Sequence, residues 1–313
     1  MNSYKHRDIF CFKLLLVSKF LKKVIYILPA LLLLIPGCTS KEANIVVMTF
    51  NIRYDNPDDG PNSWDIRKIN LAGLIKKNNP DFIGMQEVLK NQLVYLDSNL
   101  NKYNRIGVGR DDGKEEGEFS PVFYRKERFE FIDGSTFWCS ETPDKPGLGW
   151  DAVCNRIITW GKFRDIISNK IVYMFNTHFD HIGNTARINS ARLLLNRLNE
   201  IPENSYIILT GDFNSYPSSE TYKILTSSTD SSLKLFDTFE ISGSTHMGPE
   251  GTFNGFDKVE FIDQPIDYIF VSGNFDVLSH STLNNKFEGL YPSDHFPVVT
   301  TLQFNELSTI ADQ

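Results

Sequence analysis

At 313 residues the chain has the length of one large domain or two small ones. Its formal charge is −7, but residues 1–37 hold six Lys/Arg against one acid, a surplus of +5, so the remainder carries −12. So acidic a domain is poorly suited to a non-specific grip on a polyanion, where phosphate neutralisation supplies most of the affinity. Its four cysteines show no zinc-type spacing.

In chain order, Lys5, Arg7, Lys13, Lys19, Lys22 and Lys23 precede an apolar stretch, Val24–Ile35, suited to a signal peptide. The stretch runs into Leu34-Ile35-Pro36-Gly37-Cys38, which resembles a bacterial lipobox with an atypical Pro36. Residues 1–37 are therefore expected to be a lipoprotein-type signal peptide and 38–45 a tether, with a membrane anchor through lipid on Cys38. The alternative is one transmembrane anchor, for which the apolar core is short against a span of about 20 residues. Either way the domain, 46–305, is expected to be exported; 306–313 reads as a tail.

Ile45–Phe50 is a near-continuous apolar run, hence a buried strand. Ser63 is placed to cap a helix to about Lys77, with Ile66, Ile69, Leu74 and Ile75 inward. Strands are predicted at Phe82–Met85, Tyr103–Val108, Val122–Arg125, Phe129–Phe131, Ile157–Phe163, Ile171–Thr177, Tyr206–Leu209, Ile266–Val271 and Val298–Phe304. Leu89, Leu93, Leu96 and Leu100 recur at helical spacing, and Ala186, Ile188, Ala191, Leu194, Leu195 and Leu198 form a second helical stripe. Such alternation fits one domain of stacked sheets with outer helices. Cys139 and Cys154 are either a disulfide closing a loop of about 15 residues, worth about 3 kcal/mol in the chain-entropy account, or two separate thiols.

Polar residues recur at strand ends: Asn51, Glu87, Tyr124, His178, Asp212 with Asn214, Asp267, and the pair Asp294-His295. Asp212 and Asn214 lie two apart after a buried strand and so project to one side. Each alone has a structural explanation as a cap, a turn or a satisfied core group. Together they supply hard oxygen ligands for Mg²⁺, Ca²⁺ or Mn²⁺ and two histidines able to orient a phosphoryl oxygen or exchange protons.

The ordered set Asn51, Gln86-Glu87, His178, Gly211-Asp212-Phe213-Asn214, Asp267-Tyr268 and Ser293-Asp294-His295 resembles the endonuclease/exonuclease/phosphatase superfamily over about Val46–Phe304. The resemblance implies an α/β (α+β) fold, a four-layer α/β/β/α sandwich of two packed mixed β-sheets flanked by helices, with the site at one end. It implies a phosphoesterase that hydrolyses a phosphodiester, or a phosphomonoester, by in-line attack of water. Glu87 is then the principal Mg²⁺ ligand (Mn²⁺ or Ca²⁺ serving as well), with Asn51 and Asp294 in the metal shell. Asp212 orients or deprotonates water, Asn214 contacts phosphate, Asp267 orients His295 on the scissile phosphate, and His178 is the second histidine. Tyr124 and Arg156 are weaker candidates for phosphate contact.

Substrate choice is expected from the polar loops Asp55–Asn62, Arg110–Phe119, Cys139–Trp150 and Ser242–Phe256, with Trp64, Trp138, Trp150, Phe253 and Phe256 on or near them. The tryptophans are either rim residues or simply packed. His246 is a candidate for this rim, and His181 reads as a solvated loop residue. Aromatics with few cations favour a phospholipid headgroup, sugar phosphodiester or nucleotide fragment, acted on by a monomer. A secreted Mg²⁺-dependent nuclease and a non-catalytic surface binding protein are the alternatives, nucleic acid being disfavoured by charge.

Overall fold

The computed structural model describes residues 44–227, 233–257 and 263–305. The expected signal segment, the tether up to residue 43 with Cys38, and the tail lie outside the described residues. Among the described residues no helix is long and apolar enough to cross a membrane.

Two mixed sheets carry the chain. β1 (Ile45–Asn51), β2 (Phe82–Gln86), β3 (Tyr103–Ile106), β4 (Val122–Arg125), β10 (His246–Met247), β12 (Phe275–Thr282) and β13 (Val298–Phe304) form one, ordered β10-β12-β13-β1-β2-β4-β3. The other joins β5 (Phe129–Trp138), β6 (Ile157–Asp165), β7 (Ile171–His178), β8 (Tyr206–Asp212), β9 (Leu235–Asp237) and β11 (Asp267–Ser272), ordered β5-β6-β7-β8-β11-β9. The pairs β1/β2, β7/β8 and β10/β12 are parallel and the rest antiparallel.

The central strands are buried on both faces, which is why they read as unbroken apolar runs. In β1, Ile45 and Val47 join the core between the sheets, whereas Met48 and Phe50 join the core beneath the helices. β8 divides in the same way: Tyr206 and Ile208 inward, Ile207 and Leu209 outward. Helices α1 (Trp64–Asn78) and α2 (Lys90–Asn99) cover the outside of the first sheet. Helices α3 (Asn184–Leu198) and α4 (Glu220–Ser227) cover the second. The expected four-layer sandwich is therefore the observed architecture.

Two differences from the sequence reading have clear causes. Ile66 and Ile69 are exposed on α1, because the phase of Trp64, Leu71, Leu74 and Ile75 at 100° per residue puts them on the opposite side. That phase makes Arg67 the inward polar residue instead. The strand β12 escapes alternation because a register shift between Val277 and Ser279 breaks its period.

Beneath the site, the interior carries polar bonds between the sheets. Gln86 Nε2 donates to Asn176 Oδ1 at 2.7 Å, and Asn176 Nδ2 donates to the carbonyls of Met85 and Pro121. Gly84 makes room for this network, since a Cβ there would lie 2.0 Å from Thr210 Oγ1 and 2.4 Å from Asn176 Oδ1. Cys139 and Cys154 are both free, which decides for separate thiols.

Candidate active site

Strand register assembles the floor. His178, Asp212 and Asp267 lie side by side at the ends of β7, β8 and β11, with His178 opposite Asp212 and Asp267 opposite Asp212. Asn51 ends β1 on the facing sheet, opposite Gln86, and its Nδ2 donates to Asp212 Oδ2 at 3.0 Å and to Glu87 Oε1 at 3.0 Å. This carboxamide is the bolt between the two sheets at their common edge. Asp294 and His295 arrive on the segment before β13, pinned when Ser293 Oγ donates to the Asn51 carbonyl at 2.7 Å. Residues Thr252–Asn254 hold the same segment: Asn254 N donates to the Asp294 carbonyl and Phe296 N to that of Thr252.

His295 Nδ1 lies 2.9 Å from Asp267 Oδ2, and its Nε2 lies 3.8 Å from Asp212 Oδ2. Burial alone would lower the His295 pKa, but the carboxylates of Asp267, Asp212 and Asp294 outweigh it and raise it to about 10. His295 is thus a held cation. His178 is the opposite case: burial, then Arg156 and Arg110, push its pKa well down, so it is neutral. Its Nε2 is 3.5 Å from Asp212 Oδ2. Burial and then the charge of Asp267 push Asp212 up to about 7, against the pull of His295 and the donors Asn51 and Asn214 N–H. Asp294 is also raised, by burial first.

Three of the residues here adopt left-handed backbone, Arg53 (φ 56°), Glu87 (φ 60°) and Asn214 (φ 46°). Non-glycine residues rarely do so, and such strain persists where the surroundings over-determine the geometry. Glu87 is fixed by Tyr54 N–H on Oε2 and by Asn51 on Oε1. Arg53 is bidentate on Asp59 and 3.7 Å from Asp294. Arg67 underlies all of this. Its buried guanidinium donates to the carbonyls of Ile52, Arg53, Tyr54, Asn62 and Pro292, tying the end of β1 to the Asp294-His295 segment.

These groups open into a cleft of about 430 Å³. It is lined by Glu87, His178, Asp212, Asn214, Asp294 and His295 below, and by Arg53, Arg110, Glu118, Cys154, Arg156, His181 and Phe253 around them. Asn51 and Asp267 lie behind this surface as braces. Tyr124 does not reach the site. It is buried in the core between the sheets against Phe131 and Phe163, because its position on β4 faces inward. His246 is not in the cleft either; it meets His280, Nδ1 to Nδ1 at 2.9 Å. Trp64 and Trp138 are packed, and Phe253 is the rim aromatic in the cleft, edge-on to His295 at 5.0 Å. His181, read as a loop residue, lines the wall and accepts from Arg156 at 3.0 Å. Arg110 and Glu118 come from the loop Arg110–Phe119 expected at the rim, whereas Arg53 is a cleft residue marked in the sequence only by lying two residues after Asn51.

Among the described residues, one donor atom each from Asp212, Asp267 and His295 lie within 4.8 Å of one another, a spacing that suits a cation. His295 Nδ1 is already paired with Asp267 Oδ2 at 2.9 Å, so two members of that trio are bonded to each other. The donor set that fits a divalent cation is Glu87 with Asp294, hard carboxylate oxygens facing one cleft. Asn51 presents its Nδ2 to Glu87, while its Oδ1 accepts from Arg53 N–H, so it braces the ligand carboxylate in this arrangement.

A twin-sheet sandwich with carboxylates and histidines converging at one edge is the architecture of a hydrolase acting on phosphoester bonds. The chain belongs to the endonuclease/exonuclease/phosphatase family, whose sequence profile matches residues 48–295. It is 41% identical to the endonuclease/exonuclease/phosphatase from Bacteroides vulgatus, over 84% of this chain and 100% of that one, with a TM-score of 0.80. A mannosyl-6-phosphatase from Bacteroides thetaiotaomicron is 38% identical over 83% of this chain and 100% of its own, with a TM-score of 0.77. An uncharacterized protein of Acanthamoeba polyphaga mimivirus is 28% identical, over 75% of this chain and 91% of that protein.

Proposed function

We propose that the protein is an exported, lipid-anchored, Mg²⁺-dependent phosphatase that releases phosphate from a phosphorylated sugar. The observation that carries the substrate class is Arg156. It is buried in the cleft wall, held by Asp180 and His181, and its Nη1 has no hydrogen-bond partner among the described residues. A terminal phosphate dianion carries one more negative charge than a diester, and this guanidinium would meet that charge beside the held cation His295. The cleft volume suits a small polyol better than a polynucleotide, and the acidic charge outside residues 1–37 works against nucleic acid. The likeness to a mannosyl-6-phosphatase supports the same reading.

Glu87 with Asp294 would hold the metal, which when bound supplies charge stabilisation at the phosphoryl oxygens. The protein's own groups do the rest. Asp212, with its pKa near 7, accepts a proton from the attacking water and is aimed by Asn51 and the Asn214 N–H. Cationic His295 steadies the charge growing on phosphate, and its orientation is fixed by Asp267. Neutral His178 donates a hydrogen bond without adding charge. Phe253 shields His295 from water on one side.

The test is turnover of the full chain with Mg²⁺ on mannose 6-phosphate and glucose 6-phosphate beside bis-p-nitrophenyl phosphate, plasmid DNA and sphingomyelin. The sugar phosphates are expected to give kcat/KM at least 100-fold above every diester. Preference for a diester would overturn the monoester assignment.

A further inference from the structure

The upper wall of the cleft carries a second cluster, separate from the acid floor. One donor atom each from Cys154, Asp180 and His181 lie within 4.8 Å of one another. Asp180 is buried and firmly aimed: its Oδ1 accepts from Ile182 N at 3.0 Å and Gly183 N at 2.7 Å. That leaves Oδ2 directed at Val153 N and at Cys154 Sγ, 3.6 Å away. The thiol is half-buried and free, and it lines the cleft together with the exposed His181. A thiolate, an imidazole and one carboxylate are the donors of a soft or borderline metal, not of Mg²⁺. A ligating carboxylate fixed by backbone N–H groups is the usual outer support of such a site.

We infer that Cys154, Asp180 and His181 form a zinc-type inhibitory site at the mouth of the cleft, distinct from the carboxylate site that would hold Mg²⁺. On binding, the Cys154 S–H bond breaks, the proton leaves to solvent, and a sulfur–metal bond forms. The thiolate and carboxylate together neutralise a divalent cation, which matters beside Arg156 and Arg110.

Occupancy has a direct consequence for the reaction. Arg156 is now held by two of the three ligands, with Nε 3.5 Å from Asp180 Oδ2 and Nη2 3.0 Å from His181 Nδ1. A metal on those atoms takes them from Arg156, so the guanidinium loses its fixed posture at the substrate phosphate. The binding stands on its own; the inhibition rests on the phosphatase reading.

The experiment titrates Co²⁺ and then Zn²⁺ into the reduced full chain at saturating Mg²⁺, for wild type, Cys154→Ser, His181→Ala and Glu87→Gln. Wild type is expected to show a near-ultraviolet thiolate-to-cobalt absorption that one Zn²⁺ per chain abolishes. Cys154→Ser loses that Cys154-dependent band, and His181→Ala, altered at an exposed residue, weakens Zn²⁺ binding at least 10-fold. Glu87→Gln retains the band, so the result is readable even if no sugar phosphate is turned over. No thiolate band in wild type, or the same band and Zn²⁺ affinity in Cys154→Ser, would overturn the site. Where sugar phosphate is turned over, Zn²⁺ should inhibit wild type at least 10-fold more strongly than His181→Ala; equal inhibition of the two would refute the regulatory role.

Discussion

Asp212→Asn is expected to lower kcat by roughly 10³-fold, within the range typical of losing a general base, while the protein becomes no less stable. Asp212 sits where both sheets meet, taking hydrogen bonds from Asn51 and the Asn214 N–H with His178 and His295 beside it. The substitution keeps shape and removes the ability to take a proton. Its effect on stability has a definite sign. Burial and Asp267 raise the folded pKa to about 7, above the ordinary value of about 4. The protonated group therefore contributes stability below about pH 4 that is lost as pH rises through about 7. At pH 8, without metal, wild type bears that penalty and Asp212→Asn does not, so the melting temperature of the variant should equal or exceed that of wild type. Near-wild-type turnover by the folded variant would remove Asp212 from the reaction.

Arg67→Met should be the most damaging substitution outside the cleft. The buried guanidinium serves five backbone carbonyls, on β1's exit, on the loop before α1 and on Pro292. It also lies in the fields of Asp294, Asp59 and Glu87, which offset part of its burial cost and leave its pKa lowered to about 10. Stripping buried acceptors of their donor costs about 1–3 kcal/mol for a group left unsatisfied. A total on the order of 3 kcal/mol corresponds to a fall in melting temperature of roughly 6–12 °C for a domain of this size. Activity should fall further than stability explains, because Arg53, Glu87 and Asp294 lose their common anchor. Arg67→Lys should recover little, since one ammonium lacks the planar fork that reaches carbonyls on separate segments. Calorimetry and steady-state rates below the melting range separate the two effects. A stable, active Arg67→Met would show that the clamp is dispensable.

Much of the floor was legible in the sequence because period-two alternation puts residues at strand ends on predictable sides. Asn51, His178, Asp212 and Asp267 end or begin strands whose apolar runs are unmistakable, and register brings them together. What the sequence hid falls into three kinds. Tyr124 has the composition of a phosphate contact, but only the pairing of β4 with β2 and β3 decides that it faces Phe163. Arg110, Glu118 and His181 sit on irregular segments, where no period relates sequence position to direction. Arg67 illustrates a third difficulty: an arginine on the apolar phase of a helix reads as a flaw in the pattern until its carbonyl partners are known.

The proposed function makes Glu87 and the Asp294-His295 segment one metal-dependent phosphoryl-transfer centre. The most direct measurement is hydrolysis of a sugar phosphate by chelator-stripped wild type and Glu87→Gln, each titrated with Mg²⁺. Stripped wild type should be inactive and fully restored by Mg²⁺, with Glu87→Gln needing at least 10-fold more Mg²⁺ or failing to recover. Undiminished hydrolysis after stripping, or the same Mg²⁺ response in both proteins, would contradict it.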